Sequence, residues 1–157
     1  MYSGVNGEEA TVDGADRTVW EQVVGLYGRV EQELAKALLP HGVGLSEYRA
    51  LCRLVCAPEG ELRMQELADL IGLNQSSVSR LVARLEAAGL TRRDVCLKDR
   101  RGVYTVITDE GRALQQKIAP IYDETLRRAL DAAADDARVG PLVAALRAHA
   151  SQSPTPG

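Results

Sequence analysis

The residues whose types and spacing could do chemistry are cations and short polar side chains set close together. They are Gln75, Ser76, Ser77, Ser79, Arg80 and Arg84, followed by Lys98, Arg100 and Arg101. Their chemistry is non-covalent: hydroxyls and amides exchange hydrogen bonds with polar edges, while guanidinium and ammonium groups pair with phosphate or carboxylate. Between Ser76 and Gly102 stand seven basic residues against three acids, a net of +4, in a chain whose formal charge is −3. The remainder therefore carries −7. A basic patch on an acidic body is the electrostatic footprint of a protein that meets a polyanion. Single-strand binders need aromatic stacking platforms, and the chain has five Tyr, one Trp and no Phe, with only Tyr104 close to the basic stretch. Duplex DNA is the favoured polyanion.

The elements that must position these groups are legible from periodicity. Leu67, Leu70 and Ile71 fall at helical spacing on one face of a short helix. Gly72 stops it, because glycine tolerates the positive φ of a helix C-terminus. Asn74 is suited to cap the next helix by accepting from an orphan N–H. In that helix Val78, Leu81, Val82 and Leu85 make one apolar stripe, which puts Gln75, Ser76, Ser79, Arg80 and Arg84 on or near the opposite face. Gly89 ends it. Two such helices joined by a short glycine-containing turn read as a helix-turn-helix, whose second helix enters the major groove.

A hairpin is expected next. Leu90 to Leu97 and Val103 to Ile107 are short strand-like runs around Lys98-Asp99-Arg100-Arg101-Gly102. Three cations in this five-residue tip suit a phosphate backbone or a minor groove, whose negative potential attracts arginine. Leu62-Arg63 is placed to add a third short strand.

This stretch resembles the MarR (multiple antibiotic resistance regulator) family. The matching pieces are Leu67-Ala68, Gly72-Leu73, the run Ser77-Val78-Ser79-Arg80-Leu81-Val82 with Arg84-Leu85-Glu86 and Gly89-Leu90, then Asp99-Arg100-Arg101-Gly102 and Ile107-Thr108-Asp109-Glu110-Gly111. The likeness extends over roughly residues 17 to 149. It implies that residues 75 to 84 read the major groove, that Arg101 enters the minor groove, and that Asp99 orients the Arg101 guanidinium. It also implies a homodimer and a small, often phenolic, effector bound between the dimer helices and the winged unit. Candidates to line that effector site are Trp20, Tyr27, His41 and Tyr48.

The expected fold is mostly α with a small β-wing: a winged helix-turn-helix core at about 45–108, flanked by dimerisation helices at about 16–40 and 109–150. A disordered arm (1–15) and tail (151–157) complete the 157 residues, with one domain between. Trp20, Val23, Val24, Tyr27, Val30, Leu34 and Leu38 mark the first helix, capped by Asp16 or Thr18, and Ser46 is the expected cap of the second. Thr108 is placed to cap a long helix to about Asp131, with Pro120 expected to bend it. The last helix is expected over Asp135 to about Ala150, with Gly140-Pro141 able to reset its start. A winged unit of some 45 residues cannot cover the apolar faces of three flanking helices. Intertwining of two chains is therefore expected, so that two recognition helices meet an inverted repeat about 34 Å apart.

Other chemistries find little footing. No Gly-rich phosphate loop, nucleophile elbow or carboxylate pair in apolar surroundings is present, so no catalytic residue, cofactor or metal site is assigned. Cys52 and Cys56 share a helix face and are expected to be buried packing residues; Cys96 lies beside the wing. Two alternatives stay open: a winged helix that holds a partner protein, and a thiol-based redox-sensing regulator of the same fold. No apolar run reaches membrane-span length and residues 1–16 lack a signal-like core, so the expected location is the cytoplasm.

Overall fold

The computed structural model describes residues 14–95 and 102–153. They form α1 (Gly14–Leu38), α2 (Leu45–Cys56), β1 (Glu61–Arg63), α3 (Met64–Ile71), α4 (Gln75–Ala87), β2 (Thr91–Val95), β3 (Val103–Ile107), α5 (Asp109–Ala134) and α6 (Gly140–Gln152). The expected arm, wing tip and tail lie largely outside the described residues. Contacts divide the described chain into two compact units, Glu31–Arg128 and the residues up to Val30 together with those from Ala129 on.

In the first unit the core gathers Ala50, Leu51 and Leu54 of α2, Leu67 and Ala68 of α3, the full α4 stripe of Val78, Leu81, Val82 and Leu85, and Ile107 of β3. One expectation for α3 fails: Leu70 is 46% exposed while Ala68 is buried. At 100° per residue the core-facing arc is centred between Leu67, Ala68 and Ile71, and Leu70 falls off its edge. The α2 cap also differs, because Leu45 already opens the helix and Gly44 is the N-cap. The Gly44 N–H donates to the Glu47 carboxylate at 3.0 Å, leaving Ser46 inside the first turn.

The sheet is antiparallel in the order β1-β3-β2, with Arg63 opposite Tyr104 on one side and Asp94 opposite Tyr104 on the other. The third strand at Leu62-Arg63 is therefore real. Thr108 does cap α5: its Oγ1 accepts from the Gly111 N–H at 3.1 Å and donates to the Gly89 carbonyl at 2.7 Å. The Thr108 N–H donates to the Leu90 carbonyl at 3.1 Å. A Cβ at Gly111 would overlap that same carbonyl oxygen, so only glycine fits. The Thr108-x-x-Gly111 spacing is thus a clamp that seats the start of α5 on the turn leaving α4. A second cluster, Leu38, Val43, Tyr48 and Ile118, packs within this unit.

The other unit is built on Leu26, Ala133, Val139 and Val143. Here α1 starts at Gly14, earlier than expected, and the Thr18 hydroxyl bonds back to the Gly14 carbonyl within the helix rather than capping it. Helix α5 runs through Pro120 to Ala134 without a break, past the expected end. Helix α6 begins at Gly140, not Asp135, and continues to Gln152. Asp136 explains the late start. Its Oδ1 accepts from the Arg138 N–H at 2.8 Å, and its carbonyl accepts from the Gly140 N–H, also at 2.8 Å, closing a turn. Pro141 then sits in the first turn, where a missing N–H costs no helical bond. Leu146, expected on the apolar face, is 55% exposed. Among the described residues no helix is long and apolar enough to cross a membrane.

Candidate nucleic-acid interface

Helix α4 is fixed at its start by one side chain. Asn74 Oδ1 accepts from the Ser77 N–H and from the Ser76 hydroxyl, both at 2.9 Å. Gly72, with φ of 70°, lets the chain reverse between α3 and α4, and the Leu73 N–H returns to the Ala68 carbonyl at 3.1 Å. With the apolar stripe buried, Gln75, Ser76, Ser79, Arg80 and Arg84 are exposed and Ser77 is half-buried. The fold thus brings five of the six expected α4 side chains to the surface, in a run that a groove could receive.

Their local bonds differ. The Ser79 hydroxyl lies 3.4 Å from Met64 Sδ, which sets the N-terminus of α3 beside the exposed face of α4. Arg84 Nε donates to Glu47 Oε1 at 3.0 Å, so this cation is tied to the first turn of α2. Arg93 pairs with Glu86 at 3.2 Å, which ties β2 to α4. Lys98, Asp99, Arg100 and Arg101, assigned to the wing tip by the sequence, lie outside the described residues, as does Cys96.

Arg63 was not among the expected site residues. It is exposed, its Nε donates to the Tyr104 hydroxyl at 3.1 Å, and its guanidinium carbon stands 5.4 Å from the Tyr104 ring centroid. The only sequence signal was its place immediately before Met64, ahead of a helix-turn-helix.

The expected effector residues fall in both units. Trp20 and Tyr27 are 66% and 60% exposed on α1. His41 is half-buried in the turn after α1. Tyr48 is buried, with its ring centroid 4.9 Å from that of Tyr122. Burial, together with Cys52, pushes the Tyr48 phenol well above its usual range, so it stays neutral. The Cys52 thiol accepts from Gln115 at 3.8 Å and is half-buried, but Cys56 is exposed. Burial of both was expected; Cys56 escapes it because it is the last residue of α2, where the helix leaves the core. Among the described residues no group of three or more His, Cys, Asp and Glu is placed to hold a metal ion.

A model of the MarR family matches residues 44–103, from the cap of α2 to the start of β3. The chain is 29% identical over 96 residues to the uncharacterized HTH-type transcriptional regulator YkoM of Bacillus subtilis (strain 168), covering 61% of each protein. It is also 29% identical over 86 residues to the HTH-type transcriptional repressor MdtR of the same organism, covering 55% of this chain and 54% of MdtR. These matches span about half to three fifths of the curated relatives' length. Sco3205, a MarR family transcriptional regulator from Streptomyces coelicolor solved in complex with DNA, superposes with a TM-score of 0.72 at 28% identity over 94% of both chains.

Proposed function

We propose that the chain is a MarR family transcriptional regulator that binds an inverted repeat in duplex DNA as a homodimer, a reading supported by the family match over residues 44–103 and by the likeness to Sco3205. It acts in the cytoplasm as a repressor, and a small phenolic or aromatic effector releases it. The observation that carries the DNA reading is the division of α4: four apolar residues at no more than 1% exposure on one side, and Gln75, Ser76, Ser79, Arg80 and Arg84 exposed on the other. In this reading these residues and Ser77 meet the major groove and its phosphates. Lys98 and Arg100 hold phosphates, and Arg101, oriented by Asp99, enters the minor groove.

Dimerisation is supported by the apolar surface left open in one chain. Val19, Trp20, Val24, Tyr27 and Leu146 are each more than half exposed, and a solvent-facing set of this kind marks an interaction site. A two-fold dimer then sets two recognition helices about one helical turn of DNA apart. Repression is supported by the likeness to MdtR, which bears that name. The effector would act by population shift, favouring a spacing of the recognition helices that does not fit B-DNA. Trp20 and Tyr27 are exposed and His41 is half-buried, so these three are accessible for this, whereas Tyr48 is buried.

The test is a titration of the purified protein onto the duplex upstream of its own gene and onto an unrelated duplex, at several salt concentrations. Salt-sensitive binding that prefers the first duplex is expected, and phenols and aromatic acids added to the complex should release it. Equal weak binding to both duplexes would leave only the electrostatic contribution and would count against a sequence-specific regulator.

A further inference from the structure

Glu47 lies in the first turn of α2 and engages both of its carboxylate oxygens. Oε2 accepts from the Gly44 N–H at 3.0 Å, closing the turn that starts α2. Oε1 accepts from Arg84 Nε at 3.0 Å, across to α4. The two helices that carry the pair are themselves fixed, since Leu51 and Leu54 of α2 and Leu81 and Leu85 of α4 are buried in one core. The pair is lopsided: the Glu47 side chain is 20% exposed and that of Arg84 59%. One end is therefore anchored and the other stands in solvent. An ion pair with a solvent-facing partner adds little to stability; its consequence is direction. Binding through Nε leaves the two Nη groups, the fork that meets paired acceptors. Among the described residues those groups have no partner. Arg80, one turn earlier on the same exposed face, has no such anchor among the described residues.

We propose that Glu47 is a positioning residue that makes Arg84 selective among duplexes. This rests on the DNA reading above and adds to it a residue that itself touches no DNA. A free arginine turns to whichever phosphate is nearest, and its contribution is the same for every sequence. An arginine held at Nε presents its fork in one direction and gains full strength only when an acceptor of the bound duplex stands there. The neighbouring carboxylate also offsets the Arg84 charge, so less of it attracts phosphates in general. Glu47 thus lowers bulk attraction and raises discrimination.

The experiment compares wild type, Glu47→Ala, Glu47→Gln, Arg84→Ala and the double variant of Glu47→Ala with Arg84→Ala on the upstream duplex and an unrelated duplex, from about 50 to 200 mM salt. In Glu47→Ala the unrelated duplex should bind more tightly, with a slope of log affinity against log salt steeper by up to about 0.9. The preference for the upstream duplex should fall about 5- to 10-fold, the lower end of what one well-placed contact is worth. Glu47→Gln keeps an acceptor for Arg84 without the charge and should recover part of the preference. With Arg84 replaced by Ala, removing Glu47 should no longer change the preference, although loss of the Gly44 contact still lowers thermal stability. A folded Glu47→Ala protein with an unchanged preference would overturn the proposal, whether both duplexes bind as to wild type or both tighten together. So would a drop in preference that persists in the Arg84→Ala background, because it would follow from the turn at Gly44 alone. If Glu47→Ala does not fold, Glu47→Gln decides by the same criteria. Failure of the DNA reading itself would look different: wild type would prefer neither duplex before any substitution is made, and the role of Glu47 would fall with it.

Discussion

Helix α4 and the first half of α1 are both amphipathic, yet α4 buries its apolar stripe within the chain while α1 leaves most of its own exposed. In α4 every apolar residue of the stripe is buried against α2, α3 and β3, and what remains outside is polar apart from Ala83 and Ala87. In α1, Leu26 is buried while Val19, Trp20, Val24 and Tyr27 stand in solvent at 51–66% exposure. The contrast separates two tasks. In the proposed reading α4, made rigid by its own chain, offers hydrogen-bonding groups to DNA, whereas α1 offers apolar surface that gains free energy only when a second surface covers it.

The largest effect is expected where α1 is broken as an interface. Replacing Val24 and Tyr27 together by Asp should leave the thermal transition of the winged unit near that of wild type but convert a dimer to a monomer in analytical ultracentrifugation. Affinity for an inverted repeat should then fall roughly 10²–10⁴-fold, because the second half-site is no longer bound intramolecularly. A dimer that survives both charges would remove the asymmetry drawn here.

Leu81→Ala attacks the opposite side of the comparison. Leu81 is fully buried in α4, so truncation leaves a cavity and should cost about 2–5 kcal/mol in chemical denaturation. Asn74→Ala is milder. It removes the acceptor of the Ser77 N–H and should cost about 1 kcal/mol of stability. It should also loosen DNA binding, because Gln75, Ser76 and Ser77 form the turn that Asn74 holds.

A small effect is expected at Asp136, in the turn before α6. The Arg138 N–H, and after it the Arg29 guanidinium, hold this carboxyl below its usual range. A group whose pKa is lowered by folding stabilises the fold above its unfolded pKa and ceases to do so as pH falls through its folded pKa. Wild type should therefore melt slightly above Asp136→Asn at neutral pH, and the two curves should converge as pH drops below about 4. Curves that stay parallel into acid would mean that ionisation of Asp136 contributes nothing to stability through its Arg138 and Arg29 contacts.

What was legible in the sequence follows the range of the interactions. The α4 stripe, the Asn74 cap, the Gly72 turn and the Thr108 cap are set by residues within a few positions of one another, and each is found where periodicity put it. The departures have two kinds of cause, tertiary packing and local bonds that periodicity does not register. Leu70 is turned outward by the direction from which α2 and α4 approach α3, and Gly44 displaces Ser46 as a cap because Glu47 reaches back to its N–H. The turn closed by Asp136 delays α6. Arg63 stayed hidden because its partner Tyr104 lies 41 positions away, and the tie of Arg84 to Glu47 spans 37. The exposure of Trp20 and Tyr27 is legible only against a structure, since their helical spacing alone reads as ordinary core.

The most direct test of the central claim, that two copies of α4 read a duplex together, is selection of binding sites from random duplexes by the wild-type protein. An enriched inverted repeat is expected, its half-sites centred about 10–10.5 base pairs apart or a small departure from that spacing. Enrichment of a single unrepeated half-site, or of no sequence at all, would contradict it.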